Sequence, residues 1–195
     1  SLLFLNDGKG GFVREPSPCA SPEESPWLML SLDLDGDGIE EVVGSLAVAR
    51  GRGEWSVPVY RRKGTGWEAV PDALRFHTDP VHRFHMLQGV VPADVDSDGR
   101  VDLFVTCYAT SESGKTNFNA LTSTDGGDSL LFMNHGGLRF TEESGERGIV
   151  GTRYTYVGAF FDFDFDGDLD LFEGNDWGPN RLLLNDGKGK FRAAK

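Results

Sequence analysis

The stretch Asp162-Phe-Asp-Phe-Asp-Gly-Asp-Leu-Asp170 decides the fold, because it is one of three copies of a single acidic pattern. The other copies are Asp33-Leu-Asp-Gly-Asp-Gly-Ile-Glu-Glu41 and Asp94-Val-Asp-Ser-Asp-Gly-Arg-Val-Asp102. Carboxylates at alternate positions, followed by a glycine and a further carboxylate, can surround one hard cation with oxygen atoms. Calcium suits such a cage because it takes about six to eight oxygen ligands in irregular geometry. The repeat therefore predicts about three bound Ca²⁺ ions.

Each loop offers side-chain ligands at its first, third, fifth and ninth positions, and a backbone carbonyl at its seventh. The glycine at the sixth position permits the sharp turn that closes the cage. The candidate metal ligands are Asp33, Asp35, Asp37, Ile39 and Glu41 in loop one, Asp94, Asp96, Asp98, Arg100 and Asp102 in loop two, and Asp162, Asp164, Asp166, Asp168 and Asp170 in loop three.

The acidity of the chain is local. The three loops carry slightly more negative charge than the whole chain, whose net charge is −12, so the remainder is close to neutral. Carboxylates held this close raise one another's pKa and cannot all stay ionised without a cation. Three solvated acidic turns would explain the charge, but such turns need no glycine at a fixed offset.

The segments that flank the loops decide whether the loops are EF-hands or calcium loops between two β-strands. Loop three formally fits an EF-hand with Glu173 at the twelfth position, but Gly44 and Val105 occupy that position in the other loops. EF-hands also need helices on both sides. The flanking stretches are instead short and rich in β-branched, aromatic and leucine residues, which predicts strands. The expected strands are Trp27–Leu32, Glu41–Val43, Leu87–Ala93, Val101–Thr106, Tyr154–Phe161 and Leu169–Phe172.

A second repeated element lies between the loops. A hydrophobic run, an Asn-Asp-Gly type turn and a further hydrophobic residue occur at Ser1–Phe12, Ser129–Phe140 and Asn180–Phe191, with a degenerate copy at Val57–Trp67. This pattern is a strong short-range signal for a β-hairpin. We interpret these segments as tight turns and assign them no chemistry.

The complete unit is strand, calcium loop, strand, connection, strand, glycine turn, strand. The spacing of the units predicts an all-β chain of propeller blades, each with four antiparallel strands. We expect about three and a half blades in one repeat domain: a half-blade hairpin at residues 1–14, blade one at 27–70, blade two at 87–141 and blade three at 155–193. Propellers close with about four to eight blades, so a partial propeller is predicted.

The pattern resembles the FG-GAP/VCBS repeat of integrin α-subunit-like β-propellers, including the bacterial forms that accompany ASPIC/UnbV-type domains. Gly89–Asp94 and Gly158–Asp164 resemble the glycine-led strand before the cage, and Asn175–Phe191 resembles the second half of the repeat. Phe140–Ile149 resembles the inter-blade connection. Blade one departs from the pattern, because no glycine leads its first strand and Glu41 replaces the usual aspartate. The resemblance implies a calcium-braced scaffold, usually extracellular or periplasmic.

The predicted function follows from the scaffold. We expect a protein or glycan ligand on the face opposite the calcium loops, where the longest connections are Tyr108–Asp128, with Lys115 and Asn117, and Pro71–Met86. No nucleophile elbow, zinc-protease motif or phosphate loop is present, so no enzyme is predicted. The alternative is the propeller portion of a secreted polysaccharide-active enzyme such as a lyase. Exposed blade faces or edges would also favour self-association, which could complete a ring of blades.

Several further features of the sequence bear on the binding partner and on the cellular location. Loops of micromolar affinity would stay nearly empty in cytosol, which favours an extracellular, cell-surface or periplasmic location. The negative charge balance argues against nucleic acid despite basic residues at Arg50, Arg52 and 61–63. No stretch predicts a membrane span. Cys19 and Cys107 either pair across blades or remain reduced, and His77, His82 and His85 are interpreted as ordinary loop histidines.

Overall fold

The chain is all-β in the computed structural model, which describes residues 3–18, 29–44, 49–50, 53–78, 84–110, 113 and 121–194. These residues form strands and no helix, so the predicted fold class is confirmed. In the same ranges no helix is long and apolar enough to cross a membrane. The strands are β1 (Leu3–Asn6), β2 (Phe12–Glu15), β3 (Met29–Leu32), β4 (Glu41–Gly44), β5 (Ala49–Arg50), β6 (Gly53–Lys63), β7 (Gly66–Thr78), β8 (Phe84–Ala93), β9 (Asp102–Thr110), β10 (Leu130–Asn134), β11 (Phe140–Glu142), β12 (Thr155–Phe161), β13 (Asp170–Asn175), β14 (Arg181–Asn185) and β15 (Phe191–Ala193).

The strands form one two-stranded hairpin and three larger antiparallel sheets. We call them the half-blade (β1-β2), blade one (β3-β4-β6-β7), blade two (β8-β9-β10-β11, with β5 added beside β8) and blade three (β12-β13-β14-β15). Apart from β5, which lies between β4 and β6 in the chain but pairs with β8, neighbouring strands within a blade follow one another along the chain, which is the meander of a propeller blade. Each acidic loop joins the first two strands of its blade, as the sequence predicts.

The acidic loops turn through left-handed backbone at two positions rather than one. The predicted sixth-position glycines Gly38, Gly99 and Gly167 have φ of 84°, 87° and 98°. The fourth position is also left-handed, and it is occupied by Gly36 (81°), Ser97 (58°) and Phe165 (63°). A side chain in this conformation costs about 1–2 kcal/mol, so the fourth position of loops two and three is strained.

Two apolar clusters hold neighbouring blades together. One lies between blades one and two, where Phe76 meets Phe132 edge-on with ring centroids 6.5 Å apart. The other lies between blades two and three, where Phe104 meets Phe160 at 6.1 Å. Each ring pair joins adjacent sheets, so the core consists of the interfaces between blades.

The connection from blade two to blade three is fixed against the last hairpin. Arg147 accepts a hydrogen bond at its carbonyl from Phe191 N (2.7 Å) and donates from Nη1 to Lys188 O (2.7 Å). Gly148 has a φ of 85°, and a Cβ there would lie 2.2 Å from Phe191 O. Only glycine therefore fits this close approach.

The predicted connection Pro71–Met86 is wrong, because most of it is strand. Strand β7 extends to Thr78, paired with Gly53 at the far end of β6, and β8 begins at Phe84. The long ribbon forms because Leu74 and Phe76 alternate with exposed residues and bury one face.

Parts of the other predicted connection are also strand. Tyr108–Thr110 belongs to β9, whereas Lys115 and Asn117 lie outside the described residues. His77 and His85 lie in strands β7 and β8, and His82 lies outside the described residues. Cys107 is buried, but Cys19 lies outside the described part of the chain, so their pairing stays a prediction.

Candidate metal centres

Loop two brings Asp94, Asp96 and Asp102 together, with one carboxylate oxygen of each within 4.8 Å of the others. Asp94 directly follows β8 and Asp102 begins β9. The pairing of Ala93 with Asp102 places these strand ends side by side. The first, third and ninth positions of the loop therefore form one oxygen-rich cluster, of which Asp102 is almost fully buried.

Loop three repeats the arrangement. Asp162, Asp164 and Asp170 also lie within 4.8 Å of one another, at the same three positions of the pattern. Phe161 pairs with Asp170 across the strand ends, and Asp170 is completely buried. Loops two and three thus group carboxylates from the same three positions of the pattern.

Loop one groups a different set, namely Asp33, Asp35 and Asp37. The ninth-position residue Glu41 is buried, and its Oε2 accepts a hydrogen bond from Leu34 N at 2.9 Å. Asp102 and Asp170 accept the equivalent hydrogen bonds, from Val95 N at 3.1 Å and Phe163 N at 2.9 Å, so this bond is shared by all three loops and only the grouping of the carboxylates differs in loop one. This difference falls in the blade that departs most from the repeat pattern.

The first aspartate of each loop also holds the turn in shape. Asp94 accepts hydrogen bonds from Asp98 N (3.0 Å) and Gly99 N (2.9 Å) through separate oxygens. Asp162 accepts from the N–H groups of Asp166 and Gly167 in the same way, both at 3.1 Å. The loop is thus shaped before a cation arrives, and carboxylate oxygens keep lone pairs for a metal.

The remaining predicted ligands are not part of these clusters. Asp98 and Asp166 accept hydrogen bonds from the backbone N–H two residues ahead, at 2.9 and 3.0 Å. Asp98 also forms an ion pair with Arg100, whose Nε donates to Asn134 O at 2.8 Å. Metal ligation by the carbonyls of Ile39, Arg100 and Asp168 stays a prediction.

Burial and crowding make the metal-free carboxylates reluctant to ionise. Burial raises the pKa of Asp102 to about 7, with the charges of Asp96 and Asp98 adding to the effect. Burial, followed by the neighbouring aspartates, also raises the pKa of Glu41 and of Asp96. A divalent cation favours the ionised form of the carboxylates around it.

The residues present fit a hard cation. Every grouped ligand is a carboxylate, which is the donor that Ca²⁺ prefers, and no soft sulfur or imidazole ligand is included. Oδ1 of Asp96 is buried and has no hydrogen-bond partner in the described part of the chain. A buried charged oxygen without a partner is costly, and a cation in the loop would remove that cost.

Asn134 connects loop two to loop one, a role that the sequence analysis missed. Its Nδ2 donates to Leu34 O in loop one and to Val101 O in loop two, both at 2.9 Å. Its backbone N–H donates to Asp102 Oδ1 at 2.8 Å. One buried asparagine therefore supports a metal ligand and bridges two blades.

Asn185 makes the same set of bonds one blade further on. Its Nδ2 donates to Val95 O (2.7 Å) and Leu169 O (3.0 Å), and its backbone N–H donates to Asp170 Oδ1 (2.8 Å). A signal was available, because asparagine precedes the glycine turn in each well-formed hairpin, at Asn6, Asn134 and Asn185. These hairpins thus do more than turn the chain. We call Asn134 and Asn185 the bridging asparagines.

A polar cavity of about 310 Å³ lies beside loop one, between the acidic loop and the β6-β7 turn. The basic residues that line it are already engaged. Arg61 and Lys63 both pair with Glu68, and Arg62 lies over the Trp67 ring at 4.3 Å. These contacts offset the positive charge of the 61–63 segment.

Comparisons with known proteins support the repeat family. Residues 33–105 match the family model described as FG-GAP-like repeat. The narrower resemblance to integrin-like or ASPIC/UnbV-associated propellers stays a prediction. No curated protein matches the chain.

One similar solved structure is that of an Agrocybe aegerita lectin that specifically recognises non-reducing terminal N-acetylglucosamine. It is 17% identical, and the alignment covers 100% of this chain and 60% of that chain, with a TM-score of 0.36. The chain thus spans 60% of the length of that protein. At this distance the similarity carries no argument about function.

Proposed function

We propose that this chain is a calcium-stabilised propeller module that acts as a recognition scaffold outside the cell, and that it is not an enzyme. The observation that carries the proposal is the set of three carboxylate clusters, one in each blade. The bridging asparagines add support, because they link each cluster's loop to its neighbour. Calcium in the loops would then stabilise the contacts between blades.

The stabilisation expected from calcium is large. For a Kd of about 10⁻⁵ M and roughly millimolar calcium, mass action contributes about 2.7 kcal/mol per site. Three sites together would match the whole stability of an ordinary domain, about 5–15 kcal/mol. Cytosolic calcium would leave such sites nearly empty, which supports an extracellular, cell-surface or periplasmic address.

Calorimetric titration of calcium-stripped protein tests the calcium proposal. We expect uptake of about three ions and a melting temperature that rises with calcium concentration. Magnesium serves as the control, because it prefers strict octahedral geometry and keeps its waters. A melting temperature that is the same with and without calcium would refute the proposal.

For the recognition partner we propose a protein or glycan that binds on the face opposite the calcium loops. The acidic loops occupy one end of blades one, two and three, where the turns are short and held by internal hydrogen bonds. The opposite end carries the longer connections, which can vary without disturbing the metal clusters. Binding of a glycan array or of candidate proteins, compared with and without calcium, tests this assignment.

We also propose that the chain self-associates through its outer blade faces. Val95 is buried between blades two and three, whereas its counterpart in blade three, Phe163, is exposed beside the exposed Phe161. The half-blade presents the matching asparagine, Asn6, with Phe4 exposed on the same side.

Light scattering over a range of concentrations tests this self-association. We expect wild-type protein to form species larger than a monomer. The substitution Phe163→Ser should abolish them, whereas the control Phe165→Ser should not, because the loop-two counterpart of Phe165 is the surface residue Ser97. Equal behaviour of the two variants would refute this interface.

A further inference from the structure

An aromatic cluster flanked by carboxylates lies between blades two and three, at the end opposite the calcium loops. Tyr108 lies near the end of β9, and Trp177 follows the end of β13. Tyr154 and Tyr156 lie on either side of Thr155, the first residue of β12. Asp176 adjoins Trp177, and Asp125 precedes β10. Four separate segments of the chain therefore converge on one surface.

The rings of the cluster are fixed by contacts with one another. The Tyr108 ring meets Tyr154 at 5.4 Å and Tyr156 at 6.2 Å between centroids, in both cases edge-on at 77°. Trp177 Nε1 donates to the Tyr108 hydroxyl at 2.8 Å. Edge-to-face pairs of this kind are favourable arrangements of aromatic side chains, so the ring positions are well determined.

The two carboxylates are tied to the tyrosines. The Tyr108 hydroxyl donates to Asp176 Oδ2 at 2.7 Å, and the Tyr154 hydroxyl donates to Asp125 Oδ1 at 3.2 Å. Burial and the Asp176 hydrogen bond raise the pKa of Tyr108, so its hydroxyl keeps the proton it donates. Each carboxylate is thereby oriented and can still accept further hydrogen bonds, because it has about four lone-pair sites.

Backbone contacts hold the segments beneath the cluster. Gly127 and Arg153 exchange hydrogen bonds of 2.8 and 3.0 Å, and Asp176 N donates to Tyr154 O at 3.0 Å. Gly178 packs so closely that a Cβ there would lie 2.3 Å from Ser123 O. The surface is therefore preorganised, which reduces the entropy lost on binding a ligand.

Tyr156 is the exposed member of the cluster. It lies in the register shift between Thr155 and Val157, where β12 carries one residue more than its partner β13. Such bulges re-aim a side chain and are frequent beside functional sites. The side chain of Tyr156 is 62% exposed, so part of its aromatic surface is available to a ligand.

We propose that this cluster is a carbohydrate-binding site, in which a sugar ring stacks on Tyr156 and its hydroxyls donate to Asp176 and Asp125. A pyranose ring has an apolar C–H face and hydroxyls at its rim, which match an aromatic surface bordered by oriented carboxylates. The inference rests on the proposed recognition function, and it selects a glycan rather than a protein as the ligand.

A cationic peptide is the rival ligand, because aromatic rings and carboxylates also bind ammonium and guanidinium groups. A cation cage needs several ring faces that converge on one point. Here Tyr154 is buried and Tyr108 is half-buried, so Tyr156 is the ring of this cluster with a largely exposed surface. The geometry therefore favours a single stacking surface over a cage.

Saturation-transfer NMR and calorimetry on the calcium-loaded chain test the site. The probes are the methyl glycosides of glucose, galactose, mannose, fucose, N-acetylglucosamine and N-acetylgalactosamine, with Lys- and Arg-containing tetrapeptides as rivals. We expect at least one glycoside to bind. Its affinity should fall about tenfold or more in Tyr156→Ala and change less than about threefold in Tyr156→Phe, which keeps the ring.

The control variant is Phe165→Ala, which removes an exposed ring at the calcium-loop end and should leave glycoside affinity unchanged. The calcium stoichiometry of Tyr156→Ala should match that of the wild type, and its melting temperature should fall only slightly, because the side chain is exposed and loses just the edge-on contact with Tyr108. Glycoside binding that Tyr156→Ala does not weaken would overturn this site while the recognition function survives. Binding of the peptides alone, or of no probe, would overturn the carbohydrate assignment.

Discussion

Replacing Asn134 with alanine gives the sharpest test of how the blades are joined. The substitution removes two hydrogen bonds from Nδ2, to Leu34 O and Val101 O, and one accepted by Oδ1 from Gly136 N. The backbone bond to Asp102 survives, because alanine keeps its N–H group. The experiment therefore isolates the side chain that bridges loops one and two.

The expected cost follows from burial. Asn134 is 2% exposed, so the carbonyls it leaves behind are shielded from water. A net hydrogen bond contributes about 1 kcal/mol, and a buried group left without a partner costs about 1–3 kcal/mol. We expect the free energy of unfolding to fall by about 2–4 kcal/mol, which corresponds to a melting temperature lower by roughly 10 °C.

The matched control is Asn6→Ala. Asn6 occupies the same position in its hairpin and accepts the same bond from Gly8 N at 2.8 Å, but it is exposed. Its replacement should cost less than about 1 kcal/mol. Urea unfolding at saturating calcium measures both variants. Equal costs at Asn134 and Asn6 would show that the bridge between loops contributes nothing, and the reasoning would fail.

Three further predictions concern the loops. Asp162→Asn should lower the calorimetric calcium stoichiometry from about three to about two, and an unchanged value would exclude Asp162 as a ligand. In calcium-stripped protein the raised pKa of Asp102 means that the folded state binds more protons than the unfolded state between roughly pH 4 and 7. Stability should therefore fall as pH rises through that window, and melting temperatures that stay level there without calcium would contradict this. Gly99 has a φ of 87°, so Gly99→Ala should lower the free energy of unfolding by about 1 kcal/mol, whereas Phe165→Gly should raise it by about 0.5 kcal/mol. Urea unfolding measures both variants, and changes of the opposite sign would refute the strain argument.

The sequence predicted the strand–loop–strand arrangement of the acidic segments because that arrangement depends on local residues. Positions one, three and nine of loops two and three meet as the strand–loop–strand hairpin requires. Loop one groups Asp33, Asp35 and Asp37 without Glu41, and the alternation of carboxylates along the chain does not predict this difference. The strained Phe165 was also missed, since no sequence rule marks the fourth position as left-handed when glycine is absent there.

The sequence by itself determined the all-β class, the hairpins and the three acidic loops, because each depends on residues within about ten positions of one another. Only the tertiary structure decided what lies between blades. Asn134 meets Leu34 from 100 residues away, and Trp177 meets Tyr108 from 69 residues away. Such contacts depend on the packing of one sheet against the next, and periodicity along a single strand carries no information about which side chains meet across that interface.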